Sequence, residues 1–348
     1  MIKRDRVNKL RRKLKRLEIE AFLVSNPSNI FYLSGFRGHD SALLVTPDTD
    51  YIITDFRYEQ EAKKAALEFE VSTVSGNLYQ KIAGLVKHLS IKKVGFESNY
   101  LTVRQAGILT ALLANKPLPV LGVIEKLRIV KYSDEIEAIK TSANIAKKVL
   151  KRIIKEVKNN STEKDIAAKI DFLLKKEGAD SSAFDTIVAS GENASMPHAK
   201  PQKKKIALGD AVVLDFGARC DGYSSDLTRT LFVGKISKHL SLLYNIVATA
   251  QKRAISRIRP GVRVSEIDNI ARGYITEKGF GDYFGHATGH SVGIDVHELP
   301  SINSKNHTIL KEGMVFTVEP GIYIPGIGGV RIEDMVLVNK IGYEVLTR

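Results

Sequence analysis

The sequence predicts an α+β protein of two domains, an α/β amino-terminal domain over residues 1–125 and a larger mixed domain over residues 126–348. Three observations carry this reading. At 348 residues the chain exceeds the usual length of one domain. Short apolar runs alternate with helical stretches through its first third. Beyond about residue 210, glycine-rich strand pairs take over, and acidic residues interrupt their apolar runs.

The opening MIKRDRVNKLRRKLKR holds nine basic side chains and one acid between positions 3 and 16, and reads as a helix with a solvated basic face. It lacks the apolar stretch of a signal peptide. Asp5, Glu18 and Glu20, and the immediate entry into AFLVS, argue against a mitochondrial presequence. Six strands follow: AFLVS, SALLVT, YIITD, FEVSTVS, KKVGFES and PVLGVI, with helices predicted at RYEQEAKKAAL and LTVRQAGILTALLAN. The boundary falls near Glu125. Ser133, with Asp134 and Glu135 behind it, has the look of a helix N-cap and acidic first turn. Two more helices follow, one after Ser161 with a stripe of Ile166, Ile170 and Leu173 ending at Gly178, the other from Ser265 to Gly279.

Composition narrows the function. The net charge of +14 raises nucleic acid as a partner, but outside residues 3–16 the excess is scattered and no RNA- or DNA-binding motif accompanies it. No apolar run approaches the roughly 18 residues that span a bilayer. Neither nucleic acid nor a membrane is expected as a partner. The single cysteine, Cys220, excludes an internal disulfide framework and a four-cysteine zinc site, and fits a reducing, cytoplasmic location. Any metal must be held by His, Asp and Glu.

Such residues are conspicuous. AVVLDFGARCDGYSSDLTRTLFV, 211–233, reads as two strands around a turn at 219–222. A turn centred between Cys220 and Asp221 would set Asp215 directly opposite Asp226. In GMVFTVEPGIYIPGIGGVRIEDMVLV, 313–338, a turn at Gly326 sets Glu319 opposite Glu333. Facing like charges destabilise a sheet, and an unpaired buried carboxylate costs more than a fold can spare. A cation is therefore expected, and four carboxylates would balance two divalent ions of the hard, Mn²⁺-like kind. Arg229 and Arg331 are the competing partners. Arg331 shares strand parity with Glu333 and is expected to support it from behind. Nearby, GHATGHSVGIDVHE, 285–298, brings three histidines in loop and strand. His286 and His290 share parity and His297 does not, so one is expected to bind metal while others face a substrate.

These residues carry a resemblance. LDFG with Asp215, SSDLTRT with Asp226, HATGHSVGIDVHE with His290, TVEPGIY with Glu319 and GGVRIED with Glu333 resemble, in order and spacing, the pita-bread metallopeptidases of the Xaa-Pro aminopeptidase and Xaa-Pro dipeptidase (prolidase) group. ASGENASMPHAKP adds His198, and SNPSNIFYLSGFRG looks like the amino-terminal domain of the same group. The resemblance implies a pita-bread catalytic domain behind a creatinase-type one. It implies that Asp215 ligates one metal, that His290 with Glu319 ligates the other, and that Asp226 and Glu333 bridge both. Mn²⁺ is the first expectation, with Co²⁺ or Zn²⁺ as alternatives.

It further implies that His198 and His297 contact a proline-containing peptide and stabilise the oxyanion, that His286 lines the pocket, and that Glu319 relays a proton to the proline nitrogen. Relatives commonly form homodimers in which a loop placed like SGFRGHDS, 34–41, overhangs the neighbouring site, so His39 is expected to reach substrate. Non-catalytic pita-bread proteins and creatinase are disfavoured because all five ligand candidates are present. Methionine aminopeptidase is disfavoured by the long amino-terminal domain. Many prolidases place an arginine after HE-x-P, suited to a substrate carboxylate. Here Ser301 stands in HELPS. The expectation is therefore an Xaa-Pro aminopeptidase, with the dipeptidase as the alternative.

Overall fold

The computed structural model describes residues 2–348. The chain forms two compact units, one ending at Arg128 and one comprising Ile129–Arg348. Both mix helices with sheets, in keeping with the α+β class.

The amino-terminal unit is built on a six-stranded sheet in the order Glu70–Val74, Asp50–Asp55, Ala42–Val45, Ala21–Val24, Val94–Glu97, Leu118–Val120. Each overlaps one of the expected runs, although the last begins at Leu118, before PVLGVI, and takes only Pro119 and Val120 of it. The middle strands are antiparallel and the flanking ones parallel. Ala21–Val24 and Ala42–Val45 are buried along their full length, as unbroken apolar strands should be. Helices Glu59–Ala65 and Val103–Leu112 fall where expected. Pro27–Ser34 and Leu78–His88 were not foreseen. Each is started by an asparagine whose side chain accepts from the first turn, Asn26 from the Ser28 amide and Asn77 from those of Tyr79 and Gln80.

Helix Ile2–Arg16 presents a buried stripe of Val7, Leu10 and Leu14. Its basic face is only partly solvated. Arg6 is buried and donates to the Tyr32 carbonyl at 3.0 Å, and Arg11 forks onto both oxygens of Asp50 at 2.8 Å. Part of the positive charge therefore fastens this helix to its own unit.

In the second unit, helices Ser133–Ile153 and Glu163–Lys176 cover the sheet Leu227–Phe232, Ala211–Phe216, Ile187–Ser190. Helices Lys238–Ser256 and Val264–Glu277 pack on a five-stranded sheet in the order Glu298–Ile302, Gly289–Ser291, Val315–Val318, Asp334–Val338, Tyr343–Val345. Lys238–Ser256 was missed, although Ser237 caps it by accepting from Leu240 and its stripe of Leu240, Leu243, Val247 and Ala250 is buried. The expected caps shift. Ser133 opens its helix, with Glu135 accepting from the Tyr132 amide at 3.1 Å, Thr162 rather than Ser161 caps the next, and Ser265 lies within the first turn of the last.

The first hairpin corrects the expected register. Asp221 and Gly222 both have positive φ, 51° and 82°, so they form a two-residue primed turn, and Cys220 pairs with Tyr223. Asp215 then faces Thr228 rather than Asp226, which sits two residues further along the same face. The second hairpin holds its expected register from Gly321↔Arg331 to Ile324↔Gly328, and Val318↔Asp334 continues it. Glu319 and Glu333 stand opposite each other where that ladder is interrupted.

Candidate metal centre

Asp215 lies within the strand Ala211–Phe216, and the other three acids sit at breaks in strands. Asp226 immediately precedes Leu227–Phe232, Glu319 follows Val315–Val318, and Glu333 lies between Gly328–Arg331 and Asp334–Val338. The Glu319 amide bonds to the Thr288 carbonyl at 2.8 Å and that of Glu333 to Thr228 at 3.1 Å, so neighbouring strands hold both residues. His290 is central in Gly289–Ser291. Ligand atoms of Asp226, His290 and Glu333 all lie within 4.8 Å of one another. His290 Nε2 is 3.3 Å from Glu319 Oε1 and 3.6 Å from Asp226 Oδ2. Its Nδ1, 3.2 Å from the Ser291 carbonyl, is placed to donate there, which leaves Nε2 free as a ligand.

Arg331 ties the surroundings together. It donates from Nη2 to Asp215 Oδ2 at 2.5 Å, from Nη1 to Tyr323 Oη at 2.8 Å and to the Pro197 carbonyl at 3.3 Å, and from Nε to Thr228 Oγ1 at 3.2 Å. Thr228 Oγ1 donates to Glu333 Oε2 at 2.7 Å. Arg331, expected behind Glu333, thus binds Asp215 directly and reaches Glu333 through Thr228. Arg229, the other candidate cation, is taken by Asp334 and by the main-chain carbonyl of Glu333.

Four carboxylates therefore share one guanidinium. Asp215 Oδ1, Asp226 Oδ1 and Glu333 Oε1 are buried without a hydrogen-bond partner. Burial, then the neighbouring acids, raises Asp226 and Glu333 well above the usual carboxylate range, and burial lifts Glu319 to about 7. Burial opposes the charge on Arg331, yet Tyr323, Asp215 and Glu319 hold it firmly protonated. Hard oxygen donors, one imidazole nitrogen and three orphaned carboxylate oxygens fit a divalent cation.

The other histidines line this cluster. The His297 ring lies 4.1 Å from that of His290, and burial with His290 and His198 nearby lowers its basicity. His286 Nε2 is 2.9 Å from Tyr323 Oη, its Nδ1 is 2.8 Å from the Ala287 carbonyl, and burial pushes it down to about 4. It is neutral at physiological pH. His198 is exposed at a loop tip within electrostatic reach of His286, His297 and Glu319. His39 belongs to the amino-terminal unit, where it is exposed and sits edge-on to Tyr58 at 6.4 Å. Ser301 pairs across the strand with His290, and its hydroxyl accepts from Asn303 at 3.1 Å.

Sequence reasoning missed Thr228, Tyr323 and a clamp made by Asp268 and Arg272. Asp268 is fully buried and binds Arg272 through both oxygens, while Arg272 donates to the carbonyls of Phe284 and His286 at 2.8 and 2.7 Å. Its i, i+4 spacing was visible, but its grip on the histidine loop was not.

The chain as a whole is similar to known proteins. A profile of metallopeptidase family M24 matches residues 137–340, and one of the creatinase/prolidase N-terminal domain matches residues 6–130. An Xaa-Pro dipeptidase of Pyrococcus horikoshii is 36% identical over 100% of this chain and 98% of its own. Among solved structures, an Xaa-Pro dipeptidase from Bacillus anthracis is 40% identical with a TM-score of 0.97, covering 99% of this chain and 98% of the other. An X-Pro aminopeptidase from Thermotoga maritima is 37% identical with a TM-score of 0.90, covering 97% of each chain.

Proposed function

We propose, because this chain belongs to metallopeptidase family M24 and carries a creatinase/prolidase amino-terminal domain, that it is a dinuclear Xaa-Pro dipeptidase (prolidase). The buried cluster of Asp226, His290 and Glu333 with its orphaned oxygens is the observation that carries the metal chemistry. Full-length relatives named as Xaa-Pro dipeptidases carry the substrate class, and they favour the dipeptidase over the aminopeptidase that Ser301 suggested. The aminopeptidase stays as the second reading on account of Ser301 and the Thermotoga neighbour. In this proposal Asp215 would hold one ion and His290 with Glu319 the other, with Asp226 and Glu333 shared; Mn²⁺ suits the donor set. A homodimer, with His39 reaching the partner's substrate, completes the reading.

Bound there, the ions would supply Lewis-acid activation of a water and of the scissile carbonyl. The remaining work falls to the chain. A peptide bond before proline has no N–H to hold, so recognition must use the carbonyl and the flanking groups. His297, whose basicity burial lowers, and His198 donate hydrogen bonds to the carbonyl oxygen as it gains charge. Glu319, whose Oε1 lies 3.3 Å from His290 Nε2 inside the cluster, is suited to take a proton and pass it to the departing proline nitrogen. His286, held neutral beside Tyr323, walls the pocket.

The deciding experiment compares kcat/KM for Ala-Pro and Ala-Pro-Ala in the Mn²⁺-loaded enzyme. Preference for Ala-Pro is expected. A preference for the tripeptide by more than about tenfold, roughly 1.4 kcal/mol of transition-state binding, would transfer the assignment to the aminopeptidase. Hydrolysis of peptides lacking proline in second position would reject both.

A further inference from the structure

A fully buried carboxylate lies outside the metal cluster and plays no part in the chemistry above. Glu163 opens helix Glu163–Lys176 and has no exposed surface. No basic side chain forms an ion pair with it among the described residues. Its two oxygens are met by hydrogen-bond donors. Oε1 accepts from the Ser190 amide and hydroxyl, both at 2.8 Å, and from Asn193 Nδ2 at 3.1 Å. Oε2 accepts from the same Asn193 amide at 3.1 Å and from the Gln202 main-chain amide at 3.0 Å.

Ser190 and Gln202 are the two ends of one loop, and His198 lies between them. The Glu163 carboxylate therefore bridges both ends of the loop, beside the Lys204 ammonium, which donates to Ser190, and the Lys164 amide, which donates to the Gln202 carbonyl at 3.0 Å. The loop is also held beyond its base. Gly329 of the second hairpin comes so near that a Cβ there would sit 2.0 Å from the Ala194 carbonyl oxygen, and Arg331 donates to the carbonyl of Pro197, the residue before His198. Arg331 is the residue that also binds Asp215. The loop is thereby registered against the acidic cluster from one side and tied at its base from the other.

We infer that Glu163 is a positioning residue for His198, binding both ends of the 190–202 loop so that the histidine is presented to the substrate carbonyl at a fixed place. This rests on the reading of His198 as a substrate contact. Hydrogen bonds to an ionised carboxylate are the strong kind, and the carboxylate can accept from both ends at once. A glutamine cannot. Its amide nitrogen would face either the Ser190 donors or the Gln202 amide, donor against donor, and release one end of the loop.

The test uses the full-length Mn²⁺-loaded enzyme with Ala-Pro as substrate. Glu163→Gln should lower kcat/KM by about 10- to 100-fold, the scale for a misplaced contact, with metal content unchanged. Combined with His198→Ala, the same substitution should add no more than about twofold, because the group it positions is gone. Asn193→Ala, which removes an amide touching both Glu163 oxygens at a partly exposed site, should show the same dependence on His198 and serves if Glu163→Gln does not fold. A loss that persists in full on the His198→Ala background, or no loss with either variant, would overturn the inference. Should His198→Ala by itself keep full activity, the substrate-contact reading falls. Amide hydrogen exchange then judges the clamp alone: faster exchange confined to 191–201 in Glu163→Gln or Asn193→Ala supports it, and an unchanged pattern refutes it.

Discussion

Arg331 donates to one oxygen of Asp215 at 2.5 Å, while the other oxygen of Asp215 is buried without a partner. Glu333 repeats the arrangement, with Oε2 held by Thr228 and Oε1 unpartnered. In each carboxylate one oxygen is tied back by the protein and the other is left for a ligand. Tying one oxygen fixes the torsion of the side chain, so the free one is aimed before any ion arrives.

Replacing Arg331 by methionine would take the donor from Asp215, from Tyr323 and from the Pro197 carbonyl together. Loss of such outer partners weakens metal binding by about 10- to 100-fold. Competition against a chelator of known affinity should show that drop. Lysine should recover only part of it, since a point charge cannot fork between Asp215 and Tyr323. Metal affinity unchanged in the methionine variant would contradict the orienting role.

Removal of metal should couple to pH. Asp226, Glu319 and Glu333 all have carboxyls raised by burial, Glu319 to about 7. A raised folded-state value means that the metal-free fold holds protons the unfolded chain has released, so its stability is present at low pH and is lost as pH rises through about 7. Tm of the metal-free protein should fall between about pH 5 and 8, and that of the loaded protein should fall less. Calorimetric titration with Mn²⁺ at pH 6 in buffers of different ionisation enthalpy should detect proton release. Buffer-independent heats would count against protonated ligands. Elemental analysis after reconstitution should approach two ions per chain.

A second titration is independent of the metal. Glu97 is buried in the amino-terminal unit, and burial lifts it to about 7 despite hydrogen bonds from the Asn26 amide, the Asn29 side chain and the Ser25 amide. Its contribution is likewise present below the unfolded value and fades as pH climbs to about 7, amounting to about 3 kcal/mol. Glu97→Gln in the metal-loaded protein should flatten the fall in Tm over that window. An identical slope in both proteins would rule the effect out.

How much of this was legible in the sequence follows from where each signal resides. The central amino-terminal strands Ala21–Val24 and Ala42–Val45 show as unbroken apolar runs because both are buried along their full length. The acids show as interruptions of such runs, and the register of the second hairpin follows from its glycine turn. The register of the first depended on Asp221-Gly222, whose two positive φ angles move the turn by one residue and put Thr228 opposite Asp215. Helix Lys238–Ser256 starts from a Ser237 cap that no acid in its first turn reinforces. Arg331, Tyr323 and Glu163 work through contacts across 8 to 134 positions, and Arg272 beside Asp268 reaches carbonyls 12 and 14 positions on; no local pattern encodes the reach of a long side chain.

The clamp behind the histidine loop allows a two-step prediction. Asp268 is wholly buried and accepts from Arg272 at 2.8 and 2.9 Å and from the Thr288 hydroxyl at 2.7 Å. Arg272 also holds the carbonyls of Phe284 and His286. Arg272→Met would strand a buried carboxylate, a loss of about 3–5 kcal/mol, and would free the segment that carries His286. Asp268→Asn added to it removes the stranded charge while keeping an acceptor for Thr288, so the double variant should regain part of that stability. The freed carbonyls of Phe284 and His286 stay unbound in both, so KM for Ala-Pro should remain raised even where Tm recovers. Chemical denaturation and steady-state kinetics on the single and double variants separate the two effects. If KM returned to normal together with stability, Arg272 would be answering only the charge of Asp268, and its hold on the His286 loop would carry no functional weight.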